Sequence, residues 1–140
     1  MKILMPVDGS DYTKRMLAYL AAHSELLPGD HEYTVFNVIE PFSPYDRSFA
    51  KPVSMEDFMR EQAERVLGPV RAFVQQQGWK VQTDYSPGSA VQAIVEKAEA
   101  LKPDLIVMGT HGRSPVGSFV LGSVANGVLG NCKIPVLLIR

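Results

Sequence analysis

The 140-residue sequence predicts a three-layer α/β sandwich around a mostly parallel sheet of five strands. Three observations carry that reading. Strand-length apolar runs alternate with segments of helical period along the whole chain. Two of those runs, Lys2 to Val7 and Asp104 to Met108, are almost continuously apolar, as strands covered on both faces are. Both also end in turn chemistry, Asp8-Gly9-Ser10 after the first and a glycine-rich stretch after the second.

Taken in order, the first strand ends at Asp8, and Ser10 supplies a cap for a helix over Asp11 to Leu27. Tyr12, Met16, Tyr19, Leu20 and Leu27 fit one face of that helix, and Pro28-Gly29 stops it. Tyr33 to Ile39 reads as the second strand. Glu40 to Val53, with Pro41, Pro44 and Pro52, has no stable period and reads as a long loop or lid. Ser54 and Asp57 signal an N-cap, and Met55, Phe58, Met59, Ala63, Val66, Val70, Phe73 and Val74 recur at helical spacing up to Gly78. Gly68-Pro69 is expected to kink or split this helix.

Lys80 to Tyr85 alternates polar with apolar residues, which predicts an edge strand. Ser86-Pro87 is expected to cap and start a helix with Val91, Ile94, Val95, Ala98 and Leu101 inward, closed by Pro103-Asp104. The fourth strand follows, then the glycine stretch, then a helix through Val124 and Val128 that starts near Leu121 and ends at Gly130-Asn131. Ile134 to Ile139 is the fifth strand, and Pro135 argues for a second edge. An apolar edge needs covering, most simply by a second copy of the chain. The six methionines read as core filler.

The length suits a single domain over residues 1–140. Fourteen basic and fifteen acidic side chains nearly cancel, with no run of like charge, which argues against a nucleic-acid or membrane surface. Cys132 is the sole cysteine, so neither an internal disulfide nor a cysteine metal pair is expected. The apolar start is too short for a signal-peptide core and no run reaches membrane-spanning length, so a cytoplasmic protein is the expectation.

The chemistry concentrates between Met108 and Leu129. Gly109, two residues, Gly112, nine residues, then Gly122-Ser123 suggest backbone lying bare against an anion at the start of a helix. Close packing of loop and helix would use the same glycines. Asp8 reads as an Asx-turn residue or a ligand contact; if its strand neighbours the fourth, Asp8 and Gly109 bracket one crevice. Gly117 to Ser123 mimics a phosphate-binding loop but lacks the lysine before the serine, which weakens any case for phosphoryl transfer. Arg113 is the nearest cation in sequence. His111 reads as a loop residue more readily than as a general base, and His23 and His31 have no partner spacing for a metal.

These residues, with Pro6-Val7-Asp8-Gly9-Ser10, Val107-Met108 and Ile134-Pro135-Val136-Leu137, give the whole chain a resemblance to the universal stress protein family, in its nucleotide-binding branch. The resemblance implies a Rossmann-like sheet of order 3-2-1-4-5, as in adenine nucleotide alpha hydrolases. It implies that Asp8 meets adenine or ribose, that backbone at Val38 meets adenine, that Gly109 lies near ribose, and that Gly112, Gly122, Ser123 and Val124 hold phosphates. Pro6, Met108 and Arg113 complete the candidate set. The function it implies is that of an ATP-binding regulatory or stress-response protein, with or without Mg2+, dimeric through Pro135 to Ile139 and without catalytic residues. The alternatives are a slow ATPase or phosphotransferase using Arg113, Asp8 and magnesium, and a nucleotide-free dimeric interaction module.

Overall fold

The computed structural model describes residues 1–41, 54–113 and 121–140. Its elements run β1 (Lys2–Val7), α1 (Asp11–Ala22), β2 (Glu32–Ile39), α2 (Met55–Gln76), β3 (Val81–Pro87), α3 (Ala90–Leu101), β4 (Leu105–Gly109), α4 (Ser123–Asn131) and β5 (Val136–Ile139). The strands form one parallel sheet in the order β3-β2-β1-β4-β5, so the two alternating or proline-bearing segments are the edges. On one face α1 and α2 close a core around Ile3, Met5, Val35, Val107 and Tyr33. On the other, α3 and α4 close a smaller one around Leu4, Phe36, Ile106 and Met108.

The register decides where the sheet opens. β1 stays with β2 as far as Val7↔Asn37, and β4 stays with β5 as far as Gly109↔Ile139. Between β1 and β4, however, registered pairing ends at Leu4↔Ile106. The carboxyl ends of the two central strands therefore part, at the point where the winding of the sheet reverses, which is where such folds leave a crevice.

Several boundaries differ from the sequence reading. α1 stops at Ala22, not Leu27, with His23 as its C-cap: the His23 N–H is shared between the carbonyls of Tyr19 and Leu20, and its ring Nδ1 lies 2.9 Å from the Tyr19 oxygen. Tyr19 is accordingly exposed and stacks on the His23 ring at 4.2 Å. Ser10 occupies the N-cap position, but its hydroxyl makes no cap bond. α2 runs unbroken through Pro69, since the exposed side of a long amphipathic helix can forgo one hydrogen bond while Val66, Leu67, Val70 and Val74 stay buried. The Ser54 cap is as expected, its Oγ accepting from Asp57 N at 3.1 Å, but Met55 beside it is exposed.

Ser86-Pro87 belongs to β3, not to a helix start. β2 extends to Ile39 and pairs with both residues, an edge strand tolerates the missing N–H, and Ser89 takes the N-cap of α3. Asp104 precedes β4, and Ile134 and Pro135 precede β5; the Pro135 carbonyl still accepts from Ile106 N at 2.9 Å. Of the methionines, Met5, Met16 and Met108 are core, whereas Met1 and Met55 are exposed. The expected lid over Glu40 to Val53 and the loop containing Gly117 lie, apart from Glu40 and Pro41, outside the described residues. Among the described residues no helix is long and apolar enough to cross a membrane.

Gly127 of α4 faces Val91 of α3, and a side chain there would run into both methyl groups of the valine. Gly127→Leu should cost about 1–3 kcal/mol in denaturant unfolding through overpacking, and Val91→Ala in the same chain should recover part of the loss. The Tyr33 hydroxyl, which donates to the carbonyls of Leu27 and Pro28, has its pKa pushed up to about 12 by burial and then by Asp30. The unfolded chain then loses this proton first, near its ordinary value of 10.0, so stability should fall as pH rises from about 10 to about 12 and fall no further from this group above that. Chemical unfolding across this range should show the slope, and Tyr33→Phe should flatten it.

Candidate functional site

Asp8 follows the last residue of β1 and is fixed by its own turn. Its Oδ1 accepts from Ser10 N at 2.9 Å and from Thr13 Oγ1 at 3.1 Å, while its N–H donates to that same threonine oxygen at 3.2 Å. Thr13 is buried on the first turn of α1, so the carboxylate is held by a group that cannot move freely. Asp8 is thus an Asx-turn residue, as one reading of the sequence had it. Its Oδ2 nonetheless has no hydrogen-bond partner among the described residues and lies towards Gly112.

Across the gap, β4 leads through Thr110 to Gly112 and, after the loop, to the start of α4. Thr110 N donates to Ile139 O at 3.0 Å, and Gly122 N donates to Thr110 O at 2.8 Å. Gly122 caps α4 and accepts at its carbonyl from Asn126 N at 3.0 Å. The N–H of Gly122 is thus engaged within the protein. The donors left at the helix start are the N–H groups of Ser123, Val124 and Ala125, which have no partner among the described residues.

The glycines are needed for closeness, not for unusual torsions. Those with positive φ among the described residues are Gly9, Gly78 and Gly88. A Cβ on Gly109 would come within 2.9 Å of Tyr12 Cβ, and one on Gly122 within 3.0 Å of both His111 Cα and Thr110 O. Packing alone thus accounts for these two. Gly112 is different: a Cβ there would lie 2.5 Å from Asp8 Oδ2, so its absence keeps the carboxylate in place.

All of Pro6, Asp8, Val38, Met108, Gly109, Gly112, Arg113, Gly122, Ser123 and Val124 line one cavity of about 530 Å³ at the carboxyl end of the sheet. Its two sides differ. Towards α3 and α4 the wall is apolar, with Phe36, Val38, Ala90, Ile94, Met108 and Ala125. Towards α2 it carries Asn37, Phe58, Gln62, Arg65 and Val66, and Arg113 and Glu40 line it too. His111 also lines it, with Nδ1 3.0 Å from Thr110 Oγ1 and its ring 5.0 Å from that of Tyr12, which has the Arg15 guanidinium 5.2 Å from its ring centre.

Sequence reasoning missed Asn37 and the α2 wall. Asn37 is buried and donates through Nδ2 to Val7 O at 2.9 Å, tying β2 to β1 beside Asp8. The available signal was a carboxamide inside the otherwise apolar run from Tyr33 to Ile39. On α2 it was the helical spacing of Phe58, Gln62 and Arg65-Val66, a stripe with polar members at the end of the helix next to β2.

A free carboxylate oxygen opposite a helix start with open N–H groups, beside an apolar wall, can hold a ligand that combines a flat apolar body, hydroxyl donors and an anion. Comparison with known proteins agrees with the architecture. A universal stress protein from Thermus aquaticus is 34% identical over 99% of this chain and 97% of its own length. The solved structure of MJ0577, a universal stress protein of Methanocaldococcus jannaschii, superposes with a TM-score of 0.80 at 26% identity, covering 99% of this chain and 94% of that one. The universal stress protein of Archaeoglobus fulgidus in complex with dAMP superposes at 0.65 with 22% identity, over 100% and 98% of the two chains. The profile of the universal stress protein family matches residues 1–140, and the chain belongs to that family.

Proposed function

We propose that the cavity binds an adenine nucleotide, ATP with or without Mg2+, and that the protein acts as a nucleotide-dependent regulatory dimer in the cytoplasm. The observation that carries this reading is the pairing, across one crevice, of Asp8 Oδ2 with the open N–H groups of Ser123, Val124 and Ala125. The base lies against Phe36, Val38 and Ile94, the ribose hydroxyls donate to Asp8, and the phosphate oxygens accept from the start of α4 beside Gly112. The dAMP complex of the Archaeoglobus fulgidus relative supports the ligand class. Support for the dimer comes from β5, an edge strand whose Val136, Leu137 and Leu138 are only half-buried.

No catalytic step is assigned. Asp8 and Arg113 face the same cavity, which is the observation behind a slow ATPase reading, but Asp8 is engaged in its own turn and no lysine precedes Ser123. Turnover assays separate the two readings: we expect no sustained phosphate release from ATP, and multiple turnovers abolished by Asp8→Ala would establish the enzyme instead.

Binding itself is tested by isothermal titration of nucleotide-stripped protein with AMP, ADP and ATP. Saturable heat is expected. Asp8→Asn should weaken it about tenfold by removing the charge on the ribose acceptor. Gly112→Ala should weaken it as well, by displacing the same carboxylate, with little change in unfolding midpoint. Gly122→Val is the less informative variant, because its side chain would strike Thr110 and His111 and so disturb the fold.

A further inference from the structure

We infer that Arg65 and Arg113 form a clamp for the distal phosphates of the bound nucleotide, so that the site discriminates by phosphate number. The inference rests on the adenine-nucleotide reading and adds a specificity device from α2, outside the glycine signature. Arg113 follows Gly112 and its guanidinium crosses the top of Gly9: Nη2 lies 3.6 Å from where a Gly9 Cβ would be. The Val66 side chain comes within 3.4 Å of the same point, so Arg113 reaches the α2 wall next to the residue that follows Arg65. Gly9 makes room for this by having no side chain, at a φ of 75° that side-chain-bearing residues rarely adopt.

Both arginines line the cavity, as do Gln62 and Val66 of α2. Arg113 has no hydrogen-bond or ion-pair partner among the described residues. Among the described residues Arg65 pairs with Glu61 alone, one turn back on the same helix, at 2.9 Å, and both side chains are more than half exposed at 67% and 61%. Such a pair is weak, and a phosphate offering two oxygens to a planar fork is the better partner. The carboxylate residues that line the same cavity are Asp8, whose Oδ1 is already occupied by Ser10 and Thr13, and Glu40. A nucleotide whose first phosphate sits at Ser123 and Val124 would present its remaining phosphates to the two arginines; a monophosphate would leave them unused.

The measurement is the ratio of ATP to AMP affinity, by titration calorimetry, in wild type, Arg65→Met, Arg113→Met and Arg60→Met. Arg60 is the control: it lies on the same helix, pairs with Asp57 and does not line the cavity, so its loss removes one charge without touching the clamp. We expect ATP to bind more tightly than AMP in the wild type, the ratio to fall about tenfold in either clamp variant, and Arg60→Met to leave it unchanged. A ratio unaffected by both clamp variants, or lowered equally by Arg60→Met, would overturn the clamp while leaving nucleotide binding standing. Failure of wild type to bind any of the three nucleotides would overturn the nucleotide reading instead. Arg65 and Arg113 are exposed, and unfolding midpoints matching the wild type verify that each variant reports on binding.

Discussion

The early end of pairing between β1 and β4 is the constraint on which the site depends. Each central strand keeps its outer neighbour to the end, β1 with β2 and β4 with β5, yet the two release each other after Leu4↔Ile106. Parallel strands need long crossovers, and right-handed crossovers from a central strand must go to opposite faces when the winding reverses. α1 leaves β1 on one face and α4 leaves β4 on the other, so the two helices start on opposite sides of the gap between the strands. The crevice is thus a product of topology, and the side chains only furnish it.

Much of this was legible in the residues, because the signals that set it are local. Continuous apolarity marked β1 and β4 as central, alternation and Pro135 marked the two edges, and Ser54 marked the start of α2. Two of the departures share a physical cause. At Ser86-Pro87 a tertiary partner, β2, prolonged a strand where local turn chemistry argued for a helix, and at Pro69 a buried helical face carried the helix past a residue that disfavours it. At the site, residue types and spacing brought Asp8 and the glycines forward, but not which N–H groups are free. That depends on Thr110, whose carbonyl claims the Gly122 donor from twelve residues away. The contribution of α2 was hidden for the same reason, since a helix wall becomes part of a site only through packing.

The glycines also show why composition alone leaves function ambiguous. Gly109 and Gly122 are explained by contact with Tyr12, His111 and Thr110, without reference to a ligand. Among the described glycines, Gly112 alone bears directly on the Asp8 carboxylate. The two readings of the glycine stretch were therefore not rivals: close packing is the means by which helix start and carboxylate are brought to face one crevice.

Thr110 occupies a singular place in this arrangement. Its N–H donates to the last residue of β5 and its carbonyl accepts from the cap of α4, so the two peptide units either side of one buried residue link the sheet's margin to the helix start. In a close-packed interior, such a link has little slack. The outer strand of the sheet and the first open donors of α4 therefore take their relative positions through the backbone of a single residue.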